Sequence, residues 1–192
     1  MRAASPLVLI HGAFQMAATW DLVAPRLEGA GRRVVVAALT GLESDASELT
    51  ETVALDTHIR DVVALLKHDD LSGVILVGHS YAGMIITGVA EHARDRIAHL
   101  VYVDALVPEH GQSAMDILPE PTRNTFRKLA EEGGGWRMQP NEHLLDLWGL
   151  ERVRLARLSR SGWRTSPFDV SRSLSRRPRT RLTSFLVRTS RA

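Results

Sequence analysis

The sequence predicts an α/β fold, a parallel sheet with helices on both faces. Four short runs, Leu7–Ile10, Arg33–Ala38, Gly73–Val77 and Ile97–Val103, are largely apolar, as in strands covered on both sides. Between them lie segments with the apolar spacing of helices, and strands alternating with helices close a parallel sheet through crossover connections. A third observation places a site. His11, Ser80 and Asp104 each follow a predicted strand, and such sheets bind ligands beyond the carboxyl ends of their strands.

Leu7-Val8-Leu9-Ile10 is the first strand, and His11-Gly12-Ala13-Phe14 the loop after it. Thr19 to Glu28 reads as a helix with Trp20, Val23, Ala24 and Leu27 on one face, stopped by Gly29 and Gly31. Arg33 to Ala38 is the second strand, and Leu39 to Val53 reads as a polar loop. Thr57 is placed to cap a helix running to about Lys67, with Ile59, Val62, Val63 and Leu66 on its apolar face. Gly73 to Val77 is the third strand, Tyr81 to His92 a helix, and Ile97 to Val103 the fourth strand, ending at Asp104.

From Pro108 to Leu150 the pattern is short helical pieces and loops. Trp136, Met138, Leu144, Leu145, Leu147 and Trp148 make it apolar enough to pack, and a helical lid over the rim is expected. Residues 1–150 are therefore one core with a lid segment at 108–150. Residues 151–192 form a tail, with one further strand at Thr183–Val187.

Composition narrows the classes. With 192 residues and 44% hydrophobic content, the chain is long enough for one domain with a sizeable core. It has no cysteine, which fits a reducing compartment and excludes a disulfide framework. The apolar run Leu7–Ile10 is too short for a signal peptide, and no run nears the roughly 20 apolar residues of a spanning helix, so a cytoplasmic protein with no membrane partner is expected. The histidines His58, His68, His92, His99, His110 and His143 lack metal-ligand spacing, and Gly133-Gly134-Gly135 lacks the ending of a phosphate loop, so no metal and no cofactor are expected.

Charge divides unevenly along the chain. Residues 1–150 hold 12 Lys+Arg against 20 Asp+Glu, whereas residues 151–192 hold 12 arginines against 2 acids. The tail reads either as a basic arm for nucleic acid or as sequence not shaped for this fold, such as a shifted reading frame. Its Arg/Ser bias without period and its abrupt start near Glu151 favour the second, and it lacks the interleaved aromatics of single-strand binders. No nucleic-acid partner is expected.

Leu76-Val77-Gly78-His79-Ser80-Tyr81-Ala82-Gly83 carries the chemistry. It reads as a buried strand, a sharp turn bearing a serine, and a helix, the context in which a serine hydroxyl is held clear of the backbone as a nucleophile. Small residues, Gly78 before the serine and Ala82 with Gly83 after it, let strand and helix approach. A serine nucleophile needs a histidine base and an acid that orients it. Asp104 is a weak candidate for that acid, set against a turn or cap role.

These residues resemble the α/β-hydrolase superfamily, in particular the plant methylesterase and hydroxynitrile lyase-like group and its bacterial relatives. The resemblance rests on Leu9–Phe14 with Trp20, Leu39–Leu42, Asp56–His58 through Asp61–Leu66, Val77–Gly83, and Leu100–Ala105 with Val107-Pro108. It implies Ser80 as nucleophile and the N–H groups of Ala13 and Tyr81 as the oxyanion hole. His11, Gly12, Phe14 and His79 would line the substrate pocket, with His11 shaping the oxyanion loop by hydrogen bonding. The lyases of this group tend to carry a hydroxyl or amide residue at position 12 and a lysine after the catalytic histidine. Gly12 and the absence of such a lysine favour an esterase.

The family's acid follows the strand after the lid, and its histidine follows the last strand. Here no carboxylate follows Asp169 and no histidine follows His143, so a truncated or frame-shifted C-terminus is expected. The expected function is a serine hydrolase of small carboxylic esters, its activity impaired in this chain. The alternatives are an impaired hydrolase-like protein that binds a small ligand, and a hydroxynitrile lyase-like enzyme.

Overall fold

A computed structural model describes residues 4–43 and 49–138, and the backbone of Ser166–Pro167. Its four-stranded sheet is parallel, in the order β2-β1-β3-β4, with β1 Leu7–Ile10, β2 Val34–Val36, β3 Val74–His79 and β4 Ile97–Val103. Three helices accompany the strands: α1 Ala24–Gly29, α2 Leu55–His68 and α3 Ala82–His92. The segment after β4 folds as α4 Ala114–Ile117 and α5 Glu120–Glu132. It ends in β5 Arg137–Met138, paired antiparallel with β6 Ser166–Pro167.

The strand order explains where the helices go. From β1 the chain moves to one side, to β2, then returns past β1 to β3 and on to β4. Right-handed crossovers put α1 on one face and α2 with α3 on the other. The α2–α3 face is the main core: Val8, Ile10, Val74, Leu76, Leu100 and Tyr102 meet Ile59, Val62 and Leu66 of α2 and Met84, Ile85, Ile86 and Val89 of α3. From Ala82 to Ala90 every residue of α3 is buried, as for a helix wedged between sheet and neighbour. Burying a Leu or Ile side chain of this kind contributes about 1.5–3 kcal/mol.

Several local expectations are corrected. The helix over Thr19–Glu28 divides into a 3₁₀ turn at Ala17–Trp20 and α1, because Pro25 is accepted only in a first helical turn. Val23, expected on the apolar face, is exposed as a result. Thr57 is not the cap of α2: the helix starts one turn earlier, after Ala54, and the Thr57 hydroxyl accepts the Ala54 N–H at 3.2 Å. The stretch Leu39–Val53 is less polar in its packing than in its composition. Leu39, Leu42, Leu49 and Val53 are buried and tie it to the domain. β3 runs two residues further than expected, through His79, while β2 is cut to Val34–Val36. The expectations for Leu144, Leu145, Leu147, Trp148, His143 and the strand at Thr183–Val187 lie outside the described residues.

A candidate hydrolytic site at the switch point of the sheet

The strand order reverses between β1 and β3. Their following loops leave toward opposite faces and open a crevice at the carboxyl edge, where open α/β sheets bind ligands. Register brings the two loops level, with Leu9 opposite Val77 and Ile10 opposite Gly78. Gly12 and Ser80 therefore meet across this crevice. A Cβ built on Gly12 would lie 2.9 Å from Ser80 Cβ and 3.2 Å from the His79 carbonyl oxygen.

Backbone strain concentrates on the same rim. Among the described residues four non-glycine residues have positive φ, and three follow the ends of β1, β3 and β4: Phe14 at 61°, Ser80 at 54° and Asp104 at 43°. Left-handed backbone at such residues costs of order 1–3 kcal/mol and persists only where the surroundings over-determine it. They do so at Ser80. Its N–H donates to the Val103 carbonyl at 3.2 Å, and its carbonyl accepts the N–H groups of Gly83 and Leu106, each at 3.0 Å. Close approach supplies the rest: a Cβ on Gly78 would press on the Ala82 carbonyl at 2.7 Å, and one on Gly83 would overlap the Leu106 carbonyl. Tyr81 stands at the N-cap of α3, where the helix dipole favours negative charge.

The β1 loop is held from several sides. Gly12 donates its N–H to Gln15 Oε1 at 3.0 Å. The N–H of Ala13 makes no hydrogen bond among the described residues. Phe14 is buried and meets Phe126 of α5 edge-to-face at 6.0 Å. With Leu129, Ala130 and Met138 it forms a small second cluster that lays α5 over the loop. His11 is fully enclosed, between the Gly12 carbonyl at 2.9 Å and the Glu43 carboxylate at 3.2 Å. Both ring nitrogens of His11 thus bond the loop and its neighbour Glu43. Glu43 also accepts the Ala17 N–H at 3.1 Å. Burial pushes the Glu43 carboxyl up, but the hydrogen bonds from His11 and Ala17 outweigh it and the net shift is downward.

Beneath the elbow lies a buried polar chain. The ring of His58 on α2 stands 3.1 Å from the Tyr81 hydroxyl through Nδ1 and 3.0 Å from the Thr40 carbonyl through Nε2. Because that carbonyl only accepts, Nε2 carries the proton and Nδ1 accepts from Tyr81. Thr40 in turn donates its N–H and hydroxyl to Asp61 at 2.9 and 3.1 Å. Burial holds His58 below its ordinary value, against the Thr40 bond and Asp61, which raise it.

His79 ends β3, and its Nδ1 lies 3.0 Å from Gln15 Oε1. Burial depresses its affinity for a proton, while Asp104 across the rim acts to raise it. The rings of His11, His58 and His79 are thus turned to other partners. Among the described residues no histidine hydrogen-bonds the Ser80 hydroxyl. No group of three or more potential metal ligands occurs among the described residues, nor any helix long and apolar enough to cross a membrane.

Gln15, Glu43 and Asp61 were not singled out from the sequence, since a lone polar residue in a loop or on a helix carries no pattern. His58 left a signal: it interrupts the apolar face of α2 between Leu55 and Val62, the mark of a core histidine with buried partners.

Residues 7–190 match the model of the alpha/beta hydrolase family. The chain belongs to that family. The match runs through most of the arginine-rich tail. Among relatives of this chain, the "Carbendazim hydrolyzing esterase" of Nocardioides sp. is 48% identical over 113 residues, 59% of this chain and 47% of that protein. The "Pyrethroid hydrolase" of Sphingobium wenxiniae is 32% identical over 155 residues, 77% of this chain and 52% of its own length. This chain thus spans about half the length of these curated relatives. In structure it is similar to an extracellular alpha/beta-hydrolase from a Paenibacillus species described as homologous to Tobacco Salicylic Acid Binding Protein 2. That match has a TM-score of 0.76 at 26% identity, over 91% of this chain and 70% of the other.

Proposed function

We propose that this site is that of a carboxylesterase acting on small carboxylic esters, with Ser80 as nucleophile. The observation that carries the reading is Ser80 itself. Its left-handed turn is held by three backbone hydrogen bonds, opposite a glycine whose missing side chain leaves room beside the Ser80 Cβ. Attack of Oγ on an ester carbonyl forms a C–O bond and moves an electron pair onto the carbonyl oxygen. The N–H groups of Ala13 and Tyr81 are our candidates to receive that charge, and fixed donors of this kind strengthen where charge develops. Collapse breaks the ester C–O bond; the Oγ proton passes to the departing alkoxide through water, the alcohol leaves, and water hydrolyses the acyl-serine to the carboxylic acid and the free Ser80 hydroxyl.

Gly12 supports an esterase over a lyase, because a side chain there meets Ser80 Cβ in this arrangement. The relatives' names support esters and related acyl compounds as the substrate class. Pro108–Leu150 is proposed as a lid, with α5 against Phe14 as the supporting contact. The cysteine-free composition supports a cytoplasmic setting.

A second observation bears on rate. With no histidine hydrogen-bonded to its hydroxyl, Ser80 has no positioned base among the described residues. Loss of a triad member costs on the order of a million-fold in turnover, with roughly 10³–10⁴-fold over water remaining. We therefore propose that the 192-residue chain is a weak catalyst. The test is p-nitrophenyl acetate hydrolysis by the purified chain beside Ser80→Ala. A small rate abolished by the substitution is the expected result. A rate equal in the two proteins would remove Ser80 from the chemistry, and one matching ordinary esterases would show that a base reaches it.

A further inference from the structure

Gln15 touches both halves of the crevice. Its Oε1 accepts the Gly12 N–H at 3.0 Å and lies 3.0 Å from His79 Nδ1. A backbone N–H can only donate, so the atom facing Gly12 is the carboxamide oxygen and not the nitrogen. The same oxygen faces His79. It too can only accept, so His79 Nδ1 must carry the proton and Nε2 is left as the unprotonated nitrogen. A carboxamide oxygen has two lone pairs, and both are used.

The left-handed turn at Phe14 is what returns residue 15 over residue 12. One consequence concerns the oxyanion. The N–H of Gly12 is turned to Gln15 and is not available to a bound substrate, whereas that of Ala13 makes no bond among the described residues. A second concerns rigidity. The loop after β1 and the elbow after β3 leave toward opposite faces, and the Gln15–His79 contact is a side-chain hydrogen bond that joins the β1 loop to the end of β3.

We infer that Gln15 is the positioning residue of this site: a single carboxamide oxygen clamps the β1 loop to the serine elbow, holds His79 in its Nδ1–H tautomer, and leaves Ala13 as the loop's donor to the substrate oxygen. The inference deepens the esterase reading and, in its last part, rests on it. A 1 Å loosening of such donors is enough to lower turnover markedly without unfolding the domain.

The experiment uses the full chain labelled with ¹⁵N-histidine. Long-range ¹H–¹⁵N NMR reports which His79 nitrogen is protonated, and p-nitrophenyl acetate kinetics report kcat and KM. Gln15→Met removes the acceptor at similar length, and Gln15→Glu restores an oxygen there. Circular dichroism checks that each variant is folded. The expected result is a proton on His79 Nδ1 in the parent and in Gln15→Glu, and its transfer partly or wholly to Nε2 in Gln15→Met. In Gln15→Met the kcat should fall at least about tenfold with KM little changed, about 1.4 kcal/mol of transition-state stabilisation. An Nε2–H tautomer in the parent, or an unchanged tautomer in Gln15→Met, overturns the clamp. A tautomer change with unchanged kcat overturns the positioning role. If the parent shows no Ser80-dependent hydrolysis while the tautomer responds as stated, the esterase reading fails and the clamp stands.

Discussion

The Cβ that Gly12 lacks would sit 2.9 Å from Ser80 Cβ, closer than real Cβ contacts. The neighbouring atoms offer no relief, since Ser80 is pinned by its own backbone bonds and the His79 carbonyl lies within 3.2 Å of the same point. Gly12→Ala should therefore push the β1 loop outward. We expect a stability loss of about 1–2 kcal/mol. We expect Ser80-dependent hydrolysis to fall at least about tenfold, because the Ala13 N–H moves with the loop. Thermal unfolding and p-nitrophenyl acetate kinetics measure the two effects. A variant with parental rate would show that the loop has slack.

His58 should make stability depend on pH. Its folded value lies below the ordinary 6.5 because burial disfavours the imidazolium. The unfolded chain then binds the proton first. Its contribution is fully present above about pH 6.5 and is lost as pH falls through the lower folded value. Urea unfolding from pH 8 to pH 5 should show this limb, and His58→Gln should flatten it. Tyr81→Phe removes the hydroxyl that His58 Nδ1 accepts and should cost about 1–3 kcal/mol. A limb unchanged in His58→Gln would assign it to another group.

Glu43 acts lower on the pH scale. Its folded value is net lowered from 4.5, so its stabilisation is present above about pH 4.5 and is lost as pH falls through the folded value. Glu43→Gln keeps the shape but weakens the bonds to His11 and Ala17. It should remove this acid limb and cost about 1–3 kcal/mol near neutrality. The same urea series carried to pH 3 reads it, and an acid limb that survives the substitution would contradict the assignment.

Gly83 tests the elbow from behind. A methyl group there overlaps the carbonyl of Leu106, whose N–H holds the Ser80 carbonyl at 3.0 Å. Gly83→Ala should lower stability by about 1–3 kcal/mol through overpacking, although alanine is the better helix former. The shift of the urea midpoint measures this. A stabilised variant would mean that the segment after β4 yields readily.

How much was legible in the residues differs by element. The β4 boundaries and the parallel sense of the sheet followed from largely apolar runs alternating with helical spacing, a local signal that tertiary packing had no reason to override. The helix after β1 was misread because apolar spacing continues through Pro25 while backbone chemistry does not. The buried loop at Leu39–Val53 was misread because its leucines bury singly, without period.

By itself the sequence determined the α/β class, the rim carrying His11, Ser80 and Asp104, and the small residues that let the elbow form. These follow from periodicity and side-chain size, which act within a few residues. The tertiary structure alone decided the partners: Gln15 for Gly12 and His79, Glu43 for His11, and His58 for Tyr81 across 23 positions. Hydrogen bonds act over about 3 Å. Which polar groups come that close depends on strand order and crossover hand, and no local pattern in the chain records it.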